Sequence, residues 1–436
     1  MRNIDNASHT RFTRILLGVF LVAASLRLGI ALIQKDNYWH VGDIDYFRIA
    51  ANLIQSGEYA LTPGRPTLYR GPTYPMFLAL LQAVFGKNTS AFIVSNVFVN
   101  TLVVTISYFL ATHIFDRRTG ITAAALVAFY PYLIWQSGHI IENGLLSLLL
   151  LSFVLAILKA EQTKALYWAV LGGLIGGLAI LTKSVVIFFI PFVVVWWILS
   201  SRPKNKSWLL HLVLLLLVLG LVVLPWAMRN AFVSGSLAIT ESNAGMNLWK
   251  GNNPLTFTIY PQYSLDSLGP YQAAIVPVTI STERERNDWY FGQAVRYILD
   301  HPLDFLKGFV RKSLLLYDWE LVPRSGEYAV VDPVTGVIVS PGHPRSLAER
   351  MLYTIPYLFV FVFALIGLPR AWHMHTKATL LVGLLFISWT LVHATVFTYT
   401  RYRMQLEPFL AIWASYGLVH QGCRFLPIQA VSIDVN

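Results

Sequence analysis

The fold is decided by a polar interruption between two apolar segments, residues 42–85, which read GDIDYFRIAANLIQSGEYALTPGRPTLYRGPTYPMFLALLQAVF. Apolar residues recur at helical spacing over 46–53, and Gly57 ends that run. The sequence TPGRP at 62–66 predicts a turn, and 76–85 predicts a second short helix. We therefore expect two amphipathic helices that lie on the membrane face, joined by a tight turn.

The composition outside this stretch is that of a membrane protein. The chain has 436 residues, of which 56% are hydrophobic and 13% charged, whereas soluble domains carry about 25% charged residues. A water-soluble globule could not bury so much apolar surface. The fold class expected is an all-α polytopic membrane protein.

Ten apolar runs are long enough to cross a bilayer, at about 17–25 residues each. They are placed at about 15–33, 90–114, 120–136, 140–158, 166–182, 184–200, 208–228, 351–369, 378–398 and 404–420. Basic residues precede the first run, but no small-residue cleavage site follows it, so we interpret it as a retained span.

The net charge of +11 is distributed in short basic clusters between apolar runs. Such clusters mark cytoplasmic connections, and every second connection carries one: Arg117 with Arg118, Lys159 with Lys164, Arg202 to Lys206, Arg370 with Lys377, and Arg424. Both long loops, 34–89 and 229–350, are then predicted on the outer side. No basic-aromatic module of the kind that binds nucleic acid is present.

The predicted organisation has three parts. Residues 1–228 form an N-terminal membrane bundle that includes the first outer loop, 229–350 form a large extracytoplasmic loop, and 351–436 form the C-terminal membrane helices. Within the large loop a helical pattern runs from about 284 to 316, with a break at His301 and Pro302. Its many Trp and Tyr residues favour an ordered loop packed on the membrane face.

Asp43 and Asp45 are the first candidates for chemistry. A carboxylate at a water-membrane boundary can take a proton from an acceptor hydroxyl or amine. Both residues could instead cap the start of a surface helix, where Asp is favoured.

Other ionisable residues also fall near predicted helix ends. Arg70, preceded by Tyr69, could hold a lipid phosphate by two parallel hydrogen bonds, or reach to headgroups as a lipid-facing arginine does. Lys183 and Glu142 lie where an ionisable group is by default a functional candidate, although interfacial placement is the simpler alternative. His139 is a weaker candidate of the same kind.

Three further arginines share the predicted outer side with Arg70: Arg229, Arg401 and Arg403. Together they could form a phosphate or pyrophosphate pocket. Arg403 could equally form a helical ion pair with Glu407, four residues later.

Several familiar site motifs are absent from the sequence. No P-loop, GxGxxG, HExxH or nucleophile elbow occurs. The single cysteine, Cys423, excludes internal disulfides and a Cys-based metal site. No metal site or cofactor is assigned, and a divalent cation held by carboxylates is left open, because such sites need several converging oxygens.

Several stretches taken in order resemble a known family: GDIDYFRIAANLIQSGEY, PTLYRGPTYPMFLALLQAVFG, GLAILTKSVVIFFIPFVV, LPWAMRNAFVSGSLAITESNAGMNLWKGNNP and RYRMQLEPFL. They look like bacterial polyprenyl-phosphate-sugar-dependent glycosyltransferases. That group is related to the protein O-mannosyltransferases and to the aminoarabinose transferase that acts on lipid A. The resemblance extends from about Leu16 to Leu418.

The resemblance implies a GT-C membrane fold, a polyprenyl-phosphate-linked sugar donor, an inverting transfer and an active site on the outer face. The acid that acts as general base in the family matches Asp43 best. Many relatives carry a second acid directly after it, whereas here Ile44 intervenes before Asp45, so the roles of the two remain open. The residue that contacts the carrier phosphate falls on Arg70.

The function expected is an integral membrane glycosyltransferase of the cell inner membrane, which moves a sugar to an extracytoplasmic lipid, glycan or protein. Asp43 or Asp45 would be the base, and Arg70 with Tyr69, Glu142, Lys183, Arg229, Arg401 and Arg403 would bind substrate. The acceptor site is expected mainly in the loop 229–350. The alternatives are a transporter or flippase of a charged lipid, for which no internal repeat is visible, and an inactive scaffold.

Overall fold

The computed structural model describes residues 2–34, 43–200, 207–235 and 238–420. The side chains of residues 2–11, Asp43 and Ser207 lie outside this description. The described helices of the first half are α1 (Arg2–Ile33), α2 (Asp43–Ser56), α3 (Thr73–Phe85), α4 (Thr89–Ile114), α5 (Arg117–Phe129), α6 (Pro131–Gln136), α7 (Asn143–Thr163), α8 (Leu166–Thr182), α9 (Ile190–Ser200) and α10 (Ser207–Ser234).

The second half adds α11 (Ala244–Gly251), α12 (Thr256–Ile259), α13 (Gly269–Ala274), α14 (Glu283–Asp300), α15 (Pro302–Leu316), α16 (Leu347–Met374), α17 (Thr376–Thr395), α18 (Thr400–Arg403) and α19 (Glu407–Val419). Two 3₁₀ helices span Ser184–Phe189 and Leu265–Leu268. Two short antiparallel pairs complete the structure: β1 (Ala60–Thr62) with β2 (Arg65–Pro66), and β3 (Val330–Val331) with β4 (Ile338–Ser340).

The predicted all-α polytopic class is confirmed. In the part of the chain that the structure describes, 6 helices are long and apolar enough to cross a membrane: α1, α4, α7, α10, α16 and α17. Shorter apolar helices are α3, α8 and the segment Ser184–Ser200. Two of the ten predicted runs are interrupted, 120–136 at Pro131 between α5 and α6 and 184–200 by its initial 3₁₀ turn. Proline at 131 lacks the N–H that a continuous helix needs.

The first outer loop contains both predicted short helices, α2 and α3. The predicted turn between them is the β1–β2 hairpin, in which Thr62 pairs with Arg65. Tyr46 and Ala50 of α2 pack with Tyr74 and Leu78 of α3 in one small buried cluster. The two helices thus share their apolar faces, which fixes the residues between them.

The large outer loop is ordered through packed aromatic residues. Its predicted helix pair is present as α14 and α15, broken at His301 and Pro302 as expected. Trp249 of α11 packs on Tyr290 of α14, with ring centroids 5.6 Å apart. This contact holds α11 against α14.

The basic connections meet at one end of the bundle. Lys377 at the start of α17 pairs with Glu161 near the end of α7, at 2.6 Å. Arg370 of α16 donates to the carbonyl of His420 after α19, also at 2.6 Å. Since helices are rods, the first residues of α7 and of α19 lie at the opposite end. That opposite end carries the polar site.

Candidate active site

A cavity of about 620 Å³ opens at this end of the bundle. Ligand pockets in proteins are commonly about 300–1,000 Å³. Six of the site residues predicted from the sequence line it: Asp45, Tyr69, Arg70, Glu142, Lys183 and Arg401. The side chain of Asp43 lies outside the described residues; its backbone begins α2.

The position of Arg70 follows from the residue after it. A Cβ atom at Gly71 would lie 2.4 Å from the carbonyl oxygen of Leu181, so only glycine allows this turn to contact the end of α8 directly. The Tyr59 hydroxyl donates to the carbonyl of Arg70 at 2.9 Å. Arg70 is therefore held beside the end of α8, where Lys183 follows.

Arg70 is surrounded by acidic and aromatic groups. Its Nη2 atom lies 3.3 Å from Oδ2 of Asp45, and its guanidinium lies 4.8 Å from the ring centroids of both Tyr46 and Tyr69. Burial alone would lower the pKa of Arg70, but these tyrosines and the nearby carboxylates raise it above its usual value. The group is a permanent cation on the cavity wall.

A second ion pair lies next to it. Lys183 Nζ lies 2.5 Å from Glu142 Oε1, and the Tyr46 hydroxyl donates to the other oxygen of Glu142 at 2.8 Å. Burial opposes ionisation of Glu142, but Lys183 outweighs it and lowers the pKa to about 2. The carboxylate is therefore ionised and holds Lys183 at the cavity.

The loop 229–350 and α18 supply another part of the cavity wall. Lys250 Nζ lies 2.6 Å from Oδ1 of Asp266, and Arg401 Nη2 lies 3.9 Å from Oδ2 of the same residue. Burial raises the pKa of Asp266, but Lys250 and then Arg401 outweigh it and lower the pKa to about 2. One carboxylate thus faces two cations, whose charges exceed its own.

Glu241 is a carboxylate of a different kind on the same cavity. It accepts a hydrogen bond from the Ser184 hydroxyl at 2.9 Å. Burial raises its pKa, which the positive charge of Lys183 only partly offsets. Burial therefore favours the protonated form of Glu241 more than that of an exposed glutamate.

Sequence reasoning missed Glu241, Lys250 and Asp266. Lys250 had a local signal, because it lies in the glycine- and asparagine-rich stretch NAGMNLWKGNNP. A Cβ atom at the next residue, Gly251, would lie 1.5 Å from the carbonyl oxygen of Val396. The close approach of α11 to the end of α17 positions Lys250 on the cavity. No sequence pattern indicates that approach.

Two predicted substrate-binding residues lie away from the cavity lining. Arg229 donates to the carbonyl oxygens of Thr67 at 2.8 Å and Tyr59 at 3.1 Å, so it holds the β1–β2 hairpin in place. Arg403 forms the alternative ion pair with Glu407, at 3.0 Å. Both guanidiniums are occupied by backbone or core partners, which accounts for their positions outside the lining.

The described residues offer no cluster of three or more His, Cys, Asp or Glu side chains with the spacing of a metal site. The cavity carboxylates Asp45, Glu142 and Asp266 are instead each paired with a basic side chain. The basic side chains of the cavity can therefore bind an anion next to these carboxylates.

The fold is shared with a known class of membrane protein. The crystal structure of the apo oligosaccharyltransferase of Archaeoglobus fulgidus superposes with a TM-score of 0.56 and 15% sequence identity, covering 93% of this chain and 50% of that one. The oligosaccharyltransferase AglB from Archaeoglobus fulgidus, in complex with an inhibitory peptide and a dolichol-phosphate, gives a TM-score of 0.54 at 14% identity. Together with the apolar helices, this likeness confirms a multi-pass membrane bundle of the GT-C type.

Sequence comparison shows which proteins the chain is similar to. Residues 69–227 match the family model described as dolichyl-phosphate-mannose-protein mannosyltransferase. Two relatives are named undecaprenyl phosphate-alpha-4-amino-4-deoxy-L-arabinose arabinosyl transferase. The one from Pseudomonas savastanoi pv. phaseolicola is 26% identical over 232 residues, 50% of this chain and 42% of the relative. The one from Pseudomonas paraeruginosa is 31% identical over 158 residues, which are 35% of this chain and 28% of the relative.

These matches confirm the resemblance seen in the sequence: the chain is related to the polyprenyl-phosphate-sugar-dependent glycosyltransferases. The match to the first relative covers 42% of that relative's length. Its particular substrates are therefore not carried over to this chain by the match alone.

Proposed function

We propose that this protein is an integral membrane glycosyltransferase that moves a sugar from a polyprenyl-phosphate carrier to an extracytoplasmic acceptor. The observation that carries the proposal is the pairing of Asp45 with Arg70, 3.3 Å apart, on the wall of a cavity that Lys183, Lys250 and Arg401 also line. A base and several phosphate-binding cations thus share one cavity.

The cations suit a departing lipid phosphate. When the bond between the anomeric carbon and the phosphate oxygen breaks, its electron pair remains on that oxygen, so negative charge grows on the phosphate. Arg70 and Lys183, already fixed by Asp45 and Glu142, are positioned to stabilise that charge without reorganising. Arg401 and Lys250 face the same space from the other wall.

The carboxylates suit the acceptor. A hydroxyl or amine of the acceptor attacks the anomeric carbon from the side opposite the phosphate, and its proton passes to a carboxylate of the first loop. Asp45 lies on the cavity and fits this role; Asp43, two residues earlier at the start of α2, remains the alternative base. A single displacement of this kind inverts the anomeric centre.

The relatives support the class of donor. They are named for undecaprenyl phosphate-linked aminoarabinose, and the oligosaccharyltransferase of the same fold is found with dolichol-phosphate. The basic connections lie at the end of the bundle away from the cavity. By the charge rule the cavity then opens on the extracytoplasmic face of the inner membrane.

The decisive experiment combines binding with transfer. Undecaprenyl phosphate binding to the purified protein in nanodiscs is measured by native mass spectrometry for the wild type, Arg70→Gln and Asp45→Asn. Arg70→Gln is expected to weaken binding at least 10-fold, because a charge-assisted contact to phosphate is lost. Asp45→Asn is expected to leave lipid binding in place.

Transfer is followed by mass spectrometry of lipids and glycans in membranes from cells with and without the protein. The Asp43→Asn/Asp45→Asn double variant should abolish sugar addition, whereas the exposed control Asp288→Asn should retain it. Full transfer by the double variant contradicts the proposed base. Movement of lipid between leaflets with unchanged sugar content would favour a transporter instead.

A further inference from the structure

A second cavity of about 380 Å³ lies beside the first. It is bounded by α6, by the segment 321–328 and by Arg345 and Tyr353 near the start of α16. The two cavities adjoin, because Ile141, Asp266, Tyr328 and Arg401 line both of them. A molecule in the second cavity therefore lies next to the first, on the other side of Asp266 and Arg401.

One side of the second cavity is aromatic. The Tyr132 and Trp135 rings lie 5.9 Å apart and are inclined by 30°. Tyr353 stands at 86° to Tyr132, with centroids 5.8 Å apart, and the His139 ring lies 4.3 Å from Trp135. The face of an aromatic ring carries partial negative charge, which attracts the C–H bonds on the flat face of a sugar ring.

The other side of the second cavity is polar. Arg345 and Arg401 line it, and their side chains are 15% and 36% exposed. The Arg345 guanidinium is anchored through another nitrogen by Glu349, so its orientation is fixed. The exposed part of each guanidinium can donate a hydrogen bond to a ligand hydroxyl in the cavity.

Together these walls have the chemistry of a carbohydrate site. Pyranose rings have an apolar C–H face and a rim of hydroxyls, which match a ring wall and fixed donors. An acyl chain would leave the arginine donors without partners, which is costly in a buried site. The cavity volume of about 380 Å³ lies in the range of small-molecule pockets.

We propose that the second cavity binds a pyranose ring of the acceptor, so that the acceptor of this enzyme is a glycan or a glycolipid headgroup. The inference rests on the proposed glycosyl transfer. The ring stacks on Trp135 and Tyr132, its hydroxyls accept from Arg345 and Arg401, and its attacking hydroxyl points across Asp266 into the donor cavity. Arg345 is then an acceptor-binding residue.

Saturation-transfer NMR on the full protein in nanodiscs tests this directly. The probes are the methyl glycosides of glucose, galactose, N-acetylglucosamine and glucuronic acid. At least one should receive saturation from the wild type, and Arg345→Gln and Trp135→Leu should each weaken its binding at least 10-fold. Two matched controls should bind normally: Arg350→Gln, whose partner Glu320 lies outside the cavity lining, and the exposed Trp372→Leu.

Undecaprenyl phosphate binding, measured in parallel, separates this inference from the proposed function. Arg345→Gln should keep lipid binding and a normal melting temperature while it loses the glycoside. If no glycoside binds the wild type, or if Arg345→Gln and Trp135→Leu bind as tightly as the controls, the inference is overturned even where lipid binding is intact. Binding of a Ser- and Thr-containing peptide that Arg345→Gln abolishes would also overturn it, in favour of a protein acceptor.

Discussion

Arg401 and Arg403 are two residues apart in the short helix α18, yet they belong to two different regions of the molecule. The Arg401 side chain is 36% exposed and faces the cavity beside Asp266. The Arg403 side chain is 3% exposed and pairs with Glu407, itself 2% exposed, in the enclosed core. Residues at i and i+2 of a helix point to opposite sides.

The two arginines also differ in how their charges are balanced. Arg403 donates to Glu407 at 3.0 Å and to the carbonyl of Asp318 at 2.6 Å, and it lies 3.7 Å from the Tyr357 ring centroid. Arg401 shares the Asp266 carboxylate with Lys250, and its Nη2 atom lies 3.9 Å from Oδ2 of that carboxylate. Arg403 is committed to partners within the core, whereas the partly balanced charge of Arg401 on the cavity remains available to a ligand.

The largest expected effect is a loss of stability in the enclosed core around Arg403 and Glu407. Arg403→Met leaves Glu407 buried without its cation, which costs about 3–5 kcal/mol of unfolding free energy. The measurement is an SDS unfolding titration of the purified protein. The Arg403→Met/Glu407→Gln double variant should recover part of the loss, because no unpaired charge remains.

An equal loss in the single and double variants would show that packing against Tyr357, and not the ion pair, makes this region rigid. The exposed Arg286→Gln, on α14, serves as the control, with an expected change within about 0.5 kcal/mol.

The next effect concerns the cavity. Arg401→Gln should lower sugar transfer by about 100-fold, the usual order for loss of a single group that stabilises developing negative charge. Its unfolding free energy should fall by only about 1 kcal/mol, for the lost contacts to the Tyr399 and Tyr402 rings. A large loss of stability with unchanged transfer would show that Arg401, like Arg403, has a structural role.

The smallest expected effect is a pH dependence of stability. It concerns an ion pair whose exposure lies between that of Arg403 and that of Arg401. In Glu142–Lys183 the side chains are 5% and 19% exposed. The pKa of Glu142 is lowered from 4.5 to about 2, so its stabilising contribution is complete above pH 4.5 and is lost as the pH falls through 2.

Glu142→Gln should therefore reduce the melting temperature at neutral pH, by the equivalent of about 1–3 kcal/mol. The difference from the wild type should shrink steadily below pH 4.5. The control is Asp304→Asn, from an exposed pair with Lys307, for which little difference is expected at any pH. A difference independent of pH would mean that the ion pair does not stabilise the fold.

Much of the site could be expected from the first outer loop. Asp45, Tyr69 and Arg70 lie within one short stretch, and the turn with Gly71 forces them towards the end of α8. The sequence could not distinguish the structural roles of Arg229 and Arg403 from the cavity role of Arg401, because all three lie in polar stretches predicted on the same side. Only the surrounding residues separate a cavity arginine from a structural one.

The sequence by itself determined the membrane class, the approximate positions of most apolar helices and the family resemblance, because hydropathy and local periodicity are properties of neighbouring residues. The tertiary structure alone decided that Glu241, Lys250 and Asp266 join the same cavity and that a second, aromatic cavity adjoins it. Those placements depend on contacts between segments far apart in the chain, such as Gly251 with Val396. Burial and charge pairing of that kind arise only when the helices pack.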